Sequence, residues 1–173
     1  MEVVVEYGKL LIPAGLVLYA MYLTVKAFLN KELEKTMLEI RGKSIETVLP
    51  NRLQAYERMC LFLDRITPNN LIIRLNNGQF TSQEFHQILL NEIREEYNHN
   101  ASQQVYMSDE VWNAIKNAKE DLVMTVNGAA AKVAKDASSI DLAKQIIEDG
   151  LTKEVNLIDH ALTTTKDEIR QTF

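Results

Sequence analysis

A long apolar run near the amino terminus constrains the fold more than any other feature of the sequence. From Leu10 to Val25 there is no acidic or basic side chain, and apart from the amphipathic Tyr19 and Tyr22 only Thr24 interrupts the run with a polar group. As a helix the run is roughly 24 Å long, against about 30 Å for the hydrocarbon core of a bilayer. Lys9 and Lys26 flank it, and their apolar stems can extend it to the headgroups. This predicts one transmembrane helix, with a membrane span of Leu10, Leu11, Ile12, Pro13, Gly15, Leu16, Val17, Leu18, Tyr19, Met21, Tyr22, Leu23 and Val25.

Two other interpretations of this run were weighed. A cleavable signal begins with positive charge, but Glu2 and Glu6 precede the first lysine here, and no small-x-small cleavage site follows. A buried helix of this length in a soluble protein usually carries a polar stripe, which the run lacks. A hydrophobic hairpin or a helix covered by a partner stays open as the alternative to a membrane span.

The distribution of basic residues around the run predicts an orientation. Only Lys9 precedes it, whereas five lysines and arginines follow between positions 26 and 43. Because the cytoplasmic flank of a span usually carries the excess of positive charge, we expect a single-pass protein of the cell inner membrane. Its amino terminus would lie outside and its carboxyl-terminal domain in the cytoplasm.

The rest of the chain has the composition of a globular, helix-rich domain. Charged residues make up 25% and aromatic residues 7% of the sequence, and the net charge is -5, so a nucleic-acid partner is not expected. The predicted fold class is all-α, with a transmembrane helix, a stalk helix and a small cytoplasmic helical bundle. The predicted domains are residues 1–29 as anchor, 30–49 as membrane-proximal amphipathic stalk and 50–173 as the all-α domain.

The predicted stalk carries a narrow apolar stripe. Such a stripe is more typical of a coiled-coil seam than of the middle of a core. Pro50 predicts a break or kink near Leu49. The stripe consists of Leu33, Met37, Ile40 and Val48, with Ser44 and Thr47 at the remaining positions.

Several local patterns predict where the helices of the bundle begin and end. The segment 71–75 is short, apolar and β-branched like a strand, but no second strand is available to pair with it, so a short buried helix is favoured. Thr81 and Glu84 form a capping-box pattern, and Ser108 and Ser138 or Ser139 are further N-caps. A mobile polar loop is predicted over 98–104, and the last helix is predicted to begin at Thr152.

Two apolar seams are candidate partner surfaces. One is the stalk stripe, and the other lies on the last helix, where apolar residues keep a heptad spacing. Packing inside the molecule is the alternative for both seams. The candidate surface residues are Leu33, Met37, Ile40, Val155, Ile158, Leu162 and Ile169.

The sequence carries one pattern typical of metal ligands. Glu96 and His99 have the Glu-x-x-His spacing of carboxylate-bridged di-metal bundles, but the second copy that such a site requires is missing, so a solvated helix end is favoured. No glycine-rich phosphate loop, HExxH motif or cysteine pair occurs. No catalytic, cofactor-binding or metal-ligating residue is therefore assigned, and a non-enzymatic role is favoured.

The stretch from Leu49 to Leu75, beginning LPNRLQAYERMCLFLDR, resembles an uncharacterised family of Bacteroidota proteins. That resemblance implies one amino-terminal span and a helical cytoplasmic domain, and it implies no activity. We expect a membrane-anchored interaction or scaffold protein, an accessory subunit of a larger inner-membrane complex. Its partners would be the lipid bilayer and other membrane subunits or a second copy. A small membrane-tethered enzyme or metal protein using Glu96 and His99, with Glu92, is the alternative.

Overall fold

The computed structural model describes the backbone of residues 2–171, and side chains from residue 15 onward except those at positions 41, 44, 45 and 47. Within these limits the fold is all-helical, as predicted. The chain forms two compact units, Met1–Leu49 and Pro50–Phe173. The helices are α1 (Glu2–Arg65), α2 (Pro68–Leu75), α3 (Ser82–Asn100), a 3₁₀ helix (Ala101–Tyr106), α4 (Asp109–Lys132), α5 (Ser139–Leu151) and α6 (Leu157–Arg170).

The prediction of a transmembrane helix is not supported. Among the side chains that the structure describes, no helix combines the length and the apolar character needed to cross a bilayer. The described apolar stretch from Gly15 to Val25 is only about 16 Å long as a helix, and Lys26 and Lys31 follow it. The predicted single-pass inner-membrane localisation and its orientation are therefore wrong. The span residues Leu10, Leu11, Ile12 and Pro13 fall outside the described side chains.

Helix α1 continues through Pro50, where a break or kink was predicted. A proline inside a helix removes one backbone hydrogen bond and costs about 3 kcal/mol. The next turns offset this cost, because Ala55, Tyr56 and Met59 are fully or almost fully buried in the second unit. Tertiary packing of one face therefore outweighs the local preference to end the helix.

The core of the second unit is built around α4, which contacts α3, α5 and α6. The segment 71–75 is helical and buries Leu71 and Ile72, as predicted. An aromatic group lies at the edge of the core, where the rings of Tyr97 and Trp112 stack with centroids 5.7 Å apart. The largest fully buried side chains are Tyr56, Phe62, Phe85, Met59, Leu63, Ile66, Leu71, Leu89, Ile93, Ile115, Leu142 and Ile146.

The predicted N-caps of α3, α4 and α5 are confirmed. Thr81 and Glu84 form a complete capping box, Ser108 accepts a hydrogen bond from the amide of Val111, and Ser138 caps α5. Thr81 and Ser138 also form an isolated antiparallel bridge, so two capped helix starts are joined by backbone hydrogen bonds.

The predicted start of the last helix at Thr152 is wrong. Helix α6 begins at Leu157, and the side chain of Asn156 accepts hydrogen bonds from the amides of Ile158 and Asp159. The Thr152 hydroxyl instead donates to the carbonyl oxygen of Asp149, 2.9 Å away, at the end of α5. Threonine is found at both kinds of helix end, and its spacing does not distinguish them.

The prediction of a loop over 98–104 is also wrong. Helix α3 extends to Asn100, and the 3₁₀ helix follows directly. Asn100 is buried, and its amide nitrogen donates to the carbonyl oxygen of Glu96 at 2.8 Å. A turn follows α2, and Gly78 adopts a φ of 75° there, a conformation that favours glycine.

Candidate interaction surface

The part of α1 that lies in the first unit presents apolar side chains that no described residue of the chain covers. Every described residue from 15 to 40 is exposed. Large apolar side chains normally avoid this, and a contiguous exposed apolar patch marks an interaction site. The exposed large apolar residues of this unit are Leu16, Val17, Leu18, Tyr19, Met21, Tyr22, Leu23, Val25, Phe28, Leu29, Leu33, Met37, Leu38, Ile40 and Val48.

Within this unit one face of the helix is distinguished by its spacing. Leu29, Leu33, Met37 and Ile40 follow one another at intervals of four, four and three residues, and Val48 lies eight residues further. At about 100° per residue these positions cover one side of the helix. We call these five residues the α1 stripe. It contains the sequence-predicted surface residues Leu33, Met37 and Ile40, all of which are exposed.

The opposite side of the same segment carries an ion pair exposed to solvent. Lys35 Nζ lies 3.9 Å from Glu39 Oε1, and both side chains are more than 60% exposed. Leu38 lies on this opposite side and is 62% exposed, whereas Met37 of the stripe is 65% exposed. Equal exposure on opposite faces makes these two residues a matched pair for experiments.

The second predicted seam is divided between the core and the surface. Ile158 is 5% exposed and belongs to the core, and Leu162 packs against that core. Ile169 is partly buried. Val155 lies in the connection before α6 and is 59% exposed. The structure therefore does not bring these four residues together on one exposed face, whereas Leu33, Met37 and Ile40 all lie exposed on one side of α1.

Glu96 is held in a cluster of charges. Its Oε1 lies 2.6 Å from Arg65 Nη2 and 3.7 Å from Arg74 Nη1, and Arg74 also pairs with Glu92. His99 is exposed in the last turn of α3. Among the described residues no group of three potential ligands is placed to hold a metal ion. The two arginines use the Glu96 carboxylate to join α1, α2 and α3.

A second polar cluster, which the sequence did not indicate, joins α1, α4 and α6. The carboxylate of Glu168 accepts hydrogen bonds from the hydroxyls of Tyr56 and Ser108 and from the amide of Ser108 at 3.0 Å. Arg52 Nη2 donates to the Tyr56 hydroxyl at 3.3 Å, and Arg52 Nε donates to the Tyr106 carbonyl oxygen at 3.2 Å. The Ser108 cap was readable, but its partner lies sixty positions later in the chain.

This arrangement shifts two pKa values in opposite directions. Burial alone would raise the pKa of Glu168, but the donors from Ser108 and Tyr56 and the nearby Arg52 guanidinium outweigh burial and lower it. The pKa of Tyr56 is raised by burial and by its hydrogen bond to Glu168. Glu168 is therefore a charged acceptor that fixes α6 to its neighbours.

A cleft of about 370 Å³ lies in the second unit between the α1–α2 turn, α4 and the α5–α6 connection. Lys153 Nζ extends along its wall, 2.6 Å from both Asp121 Oδ2 and Thr125 Oγ1. Asn69, Asn70 and the exposed Leu151 complete part of the lining. Lys153, the one described cation in its lining, is already paired with a carboxylate. The cleft therefore combines a formed ion pair with an apolar wall.

The fold and this surface define an all-helical protein with a packed bundle and an uncovered apolar helix segment. Residues 2–172 match the model of DUF7935, a family of unknown function, and the chain belongs to this family. The expectation of an uncharacterised family is thus confirmed, although the match does not address the Bacteroidota. Comparison with curated proteins finds no match, and comparison with solved structures finds none either.

Proposed function

We propose that this protein is a helical interaction protein, in which the α1 stripe binds a helix of a protein partner and the bundle is the folded body. The single observation that carries this proposal is the uncovered apolar face of α1 between Leu29 and Val48. Burying such a face yields about 25 cal/mol for each Å² of apolar surface removed from water. The proposal also includes a role as accessory subunit of a larger complex and an origin in the Bacteroidota.

The period of the stripe favours a helical partner. Apolar positions that repeat every three or four residues fit the holes between side chains of a second helix. The alternative use of Glu96 and His99 as metal ligands has no comparable support, because both arginines near Glu96 already compete for its carboxylate.

A matched pair of substitutions tests the proposal. In the full chain, Met37→Glu should reduce the amount of copurifying protein about tenfold or more relative to the wild type. The reason is that the substitution would bury a carboxylate without a partner. The Leu38→Glu chain should retain it, since that residue lies on the opposite face with nearly the same exposure. Quantitative affinity purification from native extracts measures both.

Three results bear on this test. Selective loss with Met37→Glu supports a partner bound along the stripe. Equal loss with both variants contradicts the proposal, because it indicates nonspecific apolar contact. Equal retention also contradicts it, because the stripe would then contribute nothing to binding.

A further inference from the structure

We propose that the cleft of the second unit binds an uncharged internal segment of a protein partner, with one apolar side chain of that segment inside the cleft. This site is separate from the α1 stripe, and it goes beyond the function proposed above. Three features of its lining support it: the apolar surface, the ion pair that is already formed, and the side-chain amides.

The cleft has an apolar floor and an apolar rim. Leu122 and Ile158 line it and belong to the buried core of the bundle. Leu151 and Ile147 also line it, and they are 80% and 37% exposed. Ligand sites are mostly apolar hollows of roughly 300–1,000 Å³, and the cleft has a volume of about 370 Å³. It is therefore large enough for one apolar residue and the peptide groups that flank it.

The ion pair in the lining selects against a charged ligand. Lys153 Nζ lies 2.6 Å from both Asp121 Oδ2 and Thr125 Oγ1. Among the described residues of the lining, Lys153 and Asp121 are the only two with ionisable side chains. An anion would meet Asp121 and a cation would meet Lys153, so the burial of either charge would be poorly compensated. An uncharged ligand leaves the pair intact.

Three side-chain amides in the lining supply both kinds of hydrogen bond that a peptide group requires. Asn156 uses its Oδ1 to cap α6, which leaves its amide nitrogen as a donor. Asn70 donates to the carbonyl oxygen of Asp64 at 2.9 Å, which leaves its own oxygen as an acceptor. Asn69 has no side-chain hydrogen bond to the described part of the chain, so it offers both. A peptide group has one N–H and one C=O to pair with them.

These features fit the interior of a polypeptide better than a chain end or a free amino acid. A chain end brings one charge and a free amino acid brings two, and each charge would compete with the Lys153–Asp121 pair. Binding of a peptide backbone through hydrogen bonds, with an apolar side chain in a pocket, is a recurring mode of recognition. The exposure of Leu151 shows that the cleft opens to solvent, so a bound chain can continue beyond it.

Four small probes test the ligand class on the purified full chain. N-acetyl-L-leucinamide is uncharged and represents an internal residue, N-acetyl-L-leucine is an anion, L-leucinamide is a cation, and L-leucine carries both charges. Chemical-shift changes of the Ile147 and Leu151 methyl groups in NMR titrations measure binding. The uncharged probe should have a dissociation constant on the order of 1–10 mM, and the other three should bind at least about fivefold more weakly. Equal or tighter binding of any charged probe overturns the proposal, and so does the absence of shifts with the uncharged one.

Substitutions of the ion pair test its role in this selection. Asp121→Asn leaves Lys153 without its carboxylate, so N-acetyl-L-leucine should become the tightest of the four probes. Lys153→Met leaves Asp121 without its cation and should favour L-leucinamide instead. The control is Glu96→Gln, which removes a carboxylate at the same distance of 2.6 Å from a cation, Arg65, outside the lining of the cleft. The control should keep the wild-type order of affinities. If both cleft variants keep that order as well, the proposal fails.

The apolar rim has its own matched pair of substitutions. Leu151→Ser should weaken binding of N-acetyl-L-leucinamide by about threefold or more, because apolar contact surface is lost. Val105→Ser should change it by less than about 1.5-fold, since Val105 does not line the cleft although it is 75% exposed. Both residues are exposed, so neither change should disturb the fold. Equal effects of the two variants, followed by the Ile147 methyl group, contradict the proposal.

The experiments separate this site from the α1 stripe. Met37→Glu should leave the dissociation constant of N-acetyl-L-leucinamide unchanged, because Met37 does not line the cleft. If Met37→Glu removes a copurifying protein but no probe binds, the cleft proposal is overturned and the α1 stripe stands. If the probes bind in the expected order while Met37→Glu has no effect on copurification, the function proposed for the stripe fails and the cleft stands.

Discussion

The two units of this protein use similar apolar side chains in opposite ways. In the bundle, Phe85, Leu63 and Ile115 have no exposed surface. In the part of α1 that lies in the first unit, Leu33 and Met37 expose almost two thirds of their surface. The difference lies in what surrounds each helix: α4 is packed by α3, α5 and α6, whereas the described residues from 15 to 40 are all exposed. Apolar content alone does not decide burial, because a helix face is buried only where another element covers it.

The polar groups of the two regions differ in the same way. In the bundle the Glu168 carboxylate collects donors from Tyr56 and Ser108, and no described buried side-chain polar atom lacks a partner. On the first unit the Lys35–Glu39 pair is fully in reach of water. Hydrogen bonds therefore fix the geometry of the bundle, while the charges of the first unit contribute little to stability.

The largest expected contrast comes from truncating one apolar residue in each region. Phe85→Ala should lower the free energy of unfolding of the bundle by about 3–5 kcal/mol, because it removes a fully buried ring and leaves a cavity. Leu33→Ala should change it by less than about 0.5 kcal/mol, because the Leu33 side chain is already 64% exposed. Urea unfolding followed by fluorescence of Trp112, the only tryptophan, measures the bundle. Equal losses in the two variants would refute the contrast.

A smaller and pH-dependent effect is expected at Glu168. Its pKa in the folded protein lies below the usual glutamate value of 4.5, so its contribution is fully present above pH 4.5 and is lost as pH falls through the folded pKa. Glu168→Gln should lower the free energy of unfolding by about 1.5–3 kcal/mol at pH 7. The difference from the wild type should shrink below about pH 4.5, as measured by urea unfolding across a pH series.

The control for Glu168 is Glu57, an exposed glutamate in the same unit. Glu57→Gln should leave the free energy of unfolding at pH 7 close to that of the wild type, because its side chain is exposed. A Glu168→Gln variant that matched the wild type at pH 7, or whose deficit grew as the pH fell, would contradict the role assigned to this carboxylate.

The smallest effect is expected for the exposed charge pair of the first unit. Lys35→Ala should change the free energy of unfolding by no more than about 0.5 kcal/mol and should leave the helical content nearly unchanged. The reason is that both side chains of this exposed i, i+4 pair are solvated. Circular dichroism at low and high salt measures this. A loss above about 1 kcal/mol would show that the first unit depends on its charges as the bundle does.

Local patterns predicted much of the bundle and only part of the candidate surface. The caps at Thr81 and Ser108 were readable because a capping side chain bonds to an amide two or three residues away. The start of α6 was not, since Thr152 and Asn156 are both acceptable caps and only packing selects one. Val155 and Ile158 share a spacing, yet the first lies in the connection and the second in the core.

The sequence by itself determined the helical class, most helix starts and the stripe on α1, because helix period and capping are properties of neighbouring residues. Tertiary structure alone decided that α1 passes through Pro50, that Glu96 is held by Arg65 and Arg74, and that Glu168 joins three helices. It also decided which apolar faces stay uncovered. The physical reason is that the hydropathy of a side chain sets how favourable its burial is, whereas the tertiary structure determines whether another element covers it.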